Sequence, residues 1–236
     1  MKNLKKKICL LLLLLTTIAY SQNVKELSRD WTSFVQTISI ESNTKKKFKV
    51  EASVKLVTDD QFAWAGIWAR VDNKNDEDGF FDNMGDRPIK SNVWQTYSVE
   101  GTIDAKTKSL NFGGLCEKNG KFYFDDFKLY IENKNGVLEL FKILNGSFEE
   151  PLKDGVIPKW NLGITPEKTF KIKEFAISTS SDKVNGNYCL LIEGKGIKSK
   201  DEGKILPIEG TSPQIGSLIA MLEDLKDRVE NQVKNM

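Results

Sequence analysis

Two tryptophans and an arginine on a single strand-like segment carry the strongest chemistry in this sequence. Over residues 64–71, Ala65, Ile67, Ala69 and Val71 alternate with Trp64, Gly66, Trp68 and Arg70, so the two sets fall on opposite faces of a strand. Trp64, Trp68 and Arg70 together would make an aromatic platform. Indoles stack on the apolar faces of sugars, and a guanidinium hydrogen-bonds hydroxyls or a carboxylate. The packing alternative places the tryptophans in a core and pairs Arg70 with Asp82 or Asp86. If Ile67 and Val71 face the core, both indoles lie on the other surface of their sheet and need a cover. Residues 80–89 are near enough in sequence to supply it, with Asp82, Asn83, Asp86 and Arg87 as polar contacts around a ligand. Trp94 and Tyr97 fall on opposite faces of their own segment, so at most one of them joins the platform.

Composition removes most catalytic chemistry. The chain of 236 residues has no histidine, which excludes Ser-His-Asp and Cys-His catalysis and His-ligated zinc. The acidic run Asp72, Asp76, Glu77, Asp78, Asp82 and Asp86 lacks the downstream Glu of an EF-hand loop and reads as solvated. A glycosidase needs two carboxylates at a defined separation, and no Asp or Glu pair stands in a motif that singles it out. Gly113-Gly114 lies within a strand pattern and resembles no phosphate-binding loop. The expected role is therefore not enzymatic.

The elements that position these residues read as short strands. Phe48, Val50, Ala52, Val54 and Leu56 alternate strictly with Lys47, Lys49, Glu51, Ser53 and Lys55, the pattern of a half-buried antiparallel strand. Further strands are expected at 93–100, 109–116, 121–131, 138–144, 170–179 and 188–193, with Asn119-Gly120 as a hairpin signal. Strands at this spacing with no helix among them indicate a β-sandwich or barrel. Cys116 and Cys189 either form one disulfide or are separate buried thiols.

Both ends differ from the middle. Lys2, Lys5, Lys6 and Lys7 precede an apolar run over residues 8–15, and Ala19 and Ser21 satisfy the small-residue rule. That order predicts a signal peptide over 1–21, cleaved after Ser21, and a secreted or periplasmic protein. The formal net charge is +2; the four lysines leave with the leader, so the remaining chain is slightly acidic. No global field then favours nucleic acid or an anionic membrane, and no other apolar run is long enough to span a bilayer. At the far end Ile215, Leu218, Leu222, Leu225 and Val229 recur at three- and four-residue steps. They predict an amphipathic helix over 209–236, capped by Ser212 and Pro213. Its stripe needs a partner: the sandwich, another copy, or sequence beyond this chain.

Three stretches resemble known families. Residues 65–72, the segment Asp82-Asn83-Met84-Gly85-Asp86-Arg87-Pro88-Ile89, Trp94-Gln95-Thr96-Tyr97 and Phe124-Asp125-Asp126-Phe127 look like the jelly-roll module attached to exported bacterial hydrolases, especially in Bacteroidetes-type bacteria. Such modules resemble carbohydrate-binding modules. Asn145-Gly146-Ser147-Phe148-Glu149, then Trp160, then Gly186-Asn187-Tyr188-Cys189-Leu190-Leu191-Ile192 look like the opening of a carbohydrate-binding jelly roll. Here that opening follows what resembles an ending. The resemblance implies either one permuted sandwich, or a module over 22–133 followed by a second, partial one over 134–208. It also implies a structural calcium ion beside Asn145, Glu149, Asp125 and Asp126, the alternative being that these groups cap turns. The tail resembles the first helix of a DinB-type four-helix bundle, a family that often binds a metal through three histidines; no such residue is present to carry over. The expectation is a mostly-β jelly-roll sandwich plus a C-terminal helix. Its role would be non-catalytic binding, with carbohydrate the leading ligand. The rival is a structural or interaction module accessory to a missing or degraded DinB-like domain, with the helix mediating a protein partner or self-association.

Overall fold

The alternation of Phe48, Val50, Ala52, Val54 and Leu56 becomes the inner face of a long strand, with all five side chains buried. The structure, a computed structural model, describes residues 25–198 except 75, 76, 78, 154 and 165–169. The leader expected over 1–21 and the helix expected over 209–236 from Ile215, Leu218, Leu222, Leu225 and Val229 lie outside the described residues. In chain order the strands are β1 (Lys25–Leu27), β2 (Trp31–Ser39), β3 (Lys46–Val57), β4 (Trp64–Asn73), β5 (Phe81–Asp82), β6 (Gln95–Ile103), β7 (Thr107–Glu117), β8 (Gly120–Glu132), β9 (Leu138–Phe141), β10 (Asn161–Leu162), β11 (Phe170–Ile172), β12 (Phe175–Ser180) and β13 (Cys189–Gly194). No helix of the described residues is long and apolar enough to cross a membrane.

Two antiparallel sheets face each other across one core, the arrangement of a β-sandwich. One sheet has the order β10-β2-β7-β4-β5; the other runs β12-β13-β8-β3-β6, with β9 also paired to β8. A short parallel pair of β1 and β11 stands apart from both. Apart from β11, the strands after Gly136 join the two large sheets. β10 pairs with β2 in the first sheet, and β13 pairs with β8 in the second. The segment expected as one strand over 170–179 is two, β11 and β12, because a turn at Lys173-Glu174 interrupts the ladder.

Both cysteines are free and buried. Cys116 sits in the core between the sheets. Cys189 lies on the outer side of the second sheet, in a small cluster with Tyr123 and Leu191. A sheet therefore separates the two thiols.

The centre of the core is aromatic. The Phe34 ring meets Phe124, Phe127, Phe148 and Trp160 at centroid distances of 5.2, 5.8, 5.9 and 5.4 Å, all edge to face. Gly114 makes this possible: a Cβ there would stand 2.4 Å from the Phe34 ring and 2.8 Å from that of Phe124. Surrounded by four other rings, Phe34 has little room to move aside. Gly114→Ala is expected to lose about 1–3 kcal/mol of stability by overpacking, read as a lower midpoint in urea unfolding with an unchanged slope. An unchanged midpoint would show that the core relaxes around the methyl group.

Candidate functional site

Strand β4 places Ala65, Ile67, Ala69 and Val71 in the core, which turns Trp64, Trp68 and Arg70 outward as the alternation requires. The three outward side chains then diverge. Trp68 stands opposite Gly113 of β7. With no side chain there, its indole reaches β7 and Nε1 donates to the Gly114 carbonyl at 3.3 Å. The residue is only 3% exposed, so its ring offers no stacking surface. Arg70 turns to Asp72, two residues further along the same face, with Nε–Oδ1 at 2.6 Å and Nη2–Oδ2 at 3.1 Å. It pairs with neither Asp82 nor Asp86. Trp64 is the one tryptophan of this strand that remains half-buried.

Residues 80–89 reach over this face at one point: a Cβ on the outward Gly66, between the two tryptophans, would stand 2.6 Å from the Asn83 carbonyl oxygen. They extend the sheet beyond β4: β5 pairs with Ala69 and Arg70, and Ile89 bridges to Ala65. Between these points Met84, at φ +63°, drops into the core. The polar side chains hold the loop's own shape. Asp82 accepts from the Met84 N–H at 2.8 Å and pairs with Arg87 at 2.5 Å; Asp86 pairs with Arg87 at 2.7 Å; Asn83 accepts from the Gly85 N–H at 3.0 Å.

A different constellation forms around Trp64. The sheet register sets Glu117 of β7 directly opposite Trp31 of β2 on one side and Trp64 of β4 on the other. Their neighbours Cys116 and Ala65 point into the core, so this row faces outward. All three residues are half-buried, and the Arg29 guanidinium lies 5.1 Å from the centre of the Trp31 ring. Burial pushes the Glu117 carboxyl above the ordinary glutamate range and nearby Asp30 adds to it, while Lys118 and the Trp64 side chain oppose the shift. Asp30 itself is paired with Lys118 at 2.7 Å. Two indoles beside a carboxylate offer apolar stacking surface, and the carboxylate, which already accepts from the Trp64 side chain, has further lone pairs for hydroxyl groups. Sequence reading found Trp64 but not Trp31 or Glu117, because only the inter-strand register brings them together.

The other sheet carries a second aromatic group on its outer side. Lys55 lies 4.3 Å from the Tyr123 ring centre and 5.3 Å from that of Trp94. Asp182 is ion-paired with Lys55 and accepts from Trp94 Nε1 at 2.9 Å. Lys55, then Trp94, hold the Asp182 carboxyl below its usual range. Beneath it the Cys189 thiol donates to the Asp182 carbonyl at 3.0 Å, and burial pushes that thiol up to about 12. The polar groups of this cluster satisfy one another; it fastens a loop and leaves little to bind a ligand.

Of the residues that the resemblance assigns to calcium, Asp125, Asp126 and Glu149 hold the adjoining loop, 182–188, and Asn145 holds the segment 150–160. A bulge in β8, marked by a register shift opposite Glu51 and Ser53 and by φ +53° at Asp126, buries Asp125 completely. Asp125 accepts from the N–H groups of Val184 and Asn185 at 2.7 and 2.8 Å, and from that of Asp126 at 2.7 Å. Burial nevertheless pushes its carboxyl up. Asp126 binds Lys128 and the Asn185 amide. Glu149 accepts from the N–H groups of Tyr188 and Asn187 at 2.9 and 2.8 Å, and these bonds, that from Tyr188 foremost, hold it low. Asn145 accepts from the Glu150 N–H through its side chain and from Trp160 Nε1 through its carbonyl. No three acids or cysteines of the described residues are grouped to hold a metal ion, and a cation on these oxygens would face the N–H donors already there. The bonds described are those of loop caps, the alternative to calcium. A melting temperature that does not move with chelator or added calcium is expected, together with a lower one for Glu149→Ala; a drop on chelation would show that a cation shares these oxygens.

Glu117 gives a pH dependence of known sign. Its carboxyl titrates higher in the folded chain than in the unfolded one, so the folded state holds the proton longer. Its contribution is most favourable at low pH and is lost as pH rises through the folded value. Glu117→Gln should therefore gain stability over the parent as pH climbs from about 4 to about 7. Parallel thermal melts check this; a difference that stays constant across the range would mean the carboxyl is unshifted.

Comparison of the chain with protein-family models, with curated proteins and with solved structures found no match in any of the three.

Proposed function

We propose that this chain is a non-catalytic, exported ligand-binding module whose ligand is a carbohydrate, held at Trp31, Glu117 and Trp64. One observation carries the reading: two half-buried indoles flank a carboxylate in a single cross-strand row on a face that the core does not need. The carbohydrate class and a jelly-roll topology come from the resemblance of the segment around Trp64, Asp82 and Phe124 to modules of exported hydrolases. The export step comes from the leader-like order of residues 1–21. Glycoside cleavage calls for two cooperating carboxylates, and Asp30, the acid whose charge acts on Glu117, is tied to Lys118, which favours binding over catalysis.

A second reading, an interaction module, has its own support. Val137, Leu140, Phe141 and Leu144 are all exposed on and around β9, an apolar group with no role in the core.

Intrinsic tryptophan fluorescence distinguishes the two. Titration with neutral and acidic oligosaccharides is expected to give saturable quenching. Trp64→Ala or Glu117→Gln should weaken it by about tenfold or more, roughly 1.4 kcal/mol, with folding preserved. Trp68→Ala should instead cost about 3–5 kcal/mol of stability. No response to any oligosaccharide, or wild-type binding by Trp64→Ala, removes the carbohydrate reading.

A further inference from the structure

Strand β2 is paired along its whole length on one side only. Towards β7 the ladder runs from Trp31 to Ser39, whereas towards β10 it covers only Phe34 and Val35, followed by a bond from the Gly163 N–H to the Ser33 carbonyl. The preceding chain cannot continue the pairing. Lys159 takes φ +68° and Trp160 turns its ring into the core, so β10 starts late. Ser33 and Val35 bond towards β10, while the Ile40 N–H bonds to Lys108 of β7. By the alternation of an antiparallel ladder, Thr37 and Ser39 then direct their N–H and C=O groups away from β7. Among the described residues no strand pairs with that edge.

The bare edge forms one wall of a groove of about 430 Å³. The other wall is residues 141–144, with Phe141 39% and Leu144 51% exposed. Gln36 closes one end: its Nε2 donates to the carbonyls of Leu144 and Lys159 at 2.8 and 3.1 Å, and its Oε1 accepts from the Leu144 N–H at 3.2 Å. Lys142 and Lys159 line the same groove, both are exposed, and no Asp or Glu lines it.

We propose that this groove takes an extended segment of a partner polypeptide, rich in acidic and apolar residues, added as a strand to the edge at Thr37 and Ser39. Unpaired backbone groups are matched by another backbone, the apolar wall by alternate apolar side chains, and the two lysines by carboxylates. A second copy of the chain fits less well, since pairing edge to edge would set lysines against lysines. The site lies apart from Trp31, Glu117 and Trp64 and stands whether or not that row binds sugar.

The test uses the full chain and a peptide of about nine residues alternating Val and Glu, long enough to add one strand. A Val/Lys peptide and a fully N-methylated Val/Glu peptide serve as controls. Hydrogen exchange at the Thr37 and Ser39 amides is expected to be fast in the free chain and to slow by about tenfold or more with the Val/Glu peptide. Lys142→Gln combined with Lys159→Gln should weaken binding by about tenfold, and neither control should bind. Slow exchange before any peptide is added would overturn the proposal: the edge is then covered by the chain itself, or by a second copy if protection grows with protein concentration. No slowing with the peptide, or equal binding of the Val/Lys peptide, would overturn it as well.

Discussion

The housing of one ring, Phe34, sets the terms for the rest of this fold. It belongs to the first sheet, Phe124 and Phe127 belong to the second, and Phe148 and Trp160 come from the connection that follows both. Each edge-to-face contact adds about 0.5–1.5 kcal/mol beyond simple burial, so one side chain ties three separate parts of the chain together. The condition is the glycine pair in β7. Gly114 leaves room for Phe34 inside, and Gly113 leaves Trp68 without a cross-strand side chain outside. The same two residues thus seat the core ring and draw Trp68 down onto the sheet. The outward row of Trp31, Glu117 and Trp64 stays open because it lies at the end of β7, past the glycines.

The β8 bulge is the second organising device. One extra residue at Asp126 rotates Phe127 into the core, where its N–H donates to the Gly146 carbonyl at 2.9 Å. It leaves Asp125 buried on the other face of the strand, aimed at the N–H groups of the 182–188 loop. A buried carboxylate is costly unless hydrogen-bonded, and three backbone donors meet that demand. The Asp-Asp-Phe and Asn-Gly-Ser-Phe-Glu segments, distant in sequence, are joined through this loop: Asn185 Nδ2 bonds both Asp126 and Ser147, at 3.0 and 3.2 Å.

How legible this was differs by feature. Strand β3 was fully readable, because strict alternation of large apolar residues with lysines has one physical meaning when a sheet is wet on one face. The faces of β4 were readable for the same reason. The fate of its outer residues was not. Arg70 bonds Asp72 instead of the expected Asp82 or Asp86, because a spacing of two puts Arg70 and Asp72 on one face. Trp68 depended on what stood across from it, and no pattern within 64–71 reveals a glycine on another strand. The site row was hidden for the same reason, since Trp31, Glu117 and Trp64 lie on three strands and meet only through register. Two-residue strands such as β5 and β10 carry no periodicity at all. The bulge was unreadable because a non-glycine residue at positive φ leaves no compositional mark.

The order in which the strands enter the sheets has a consequence for how the chain comes into being. β8 exposes an open edge until β13 arrives some sixty residues later to pair with it, and the Phe34 ring lacks two of its neighbours until Phe148 and Trp160 have been made. A nascent chain that has reached Glu132 therefore holds two incomplete sheets over an unfilled core. Closure must wait for pairings of long sequence separation, which makes folding slow and late. A chain that cannot finish folding until nearly all of it is synthesised keeps its strand edges unpaired through most of its synthesis.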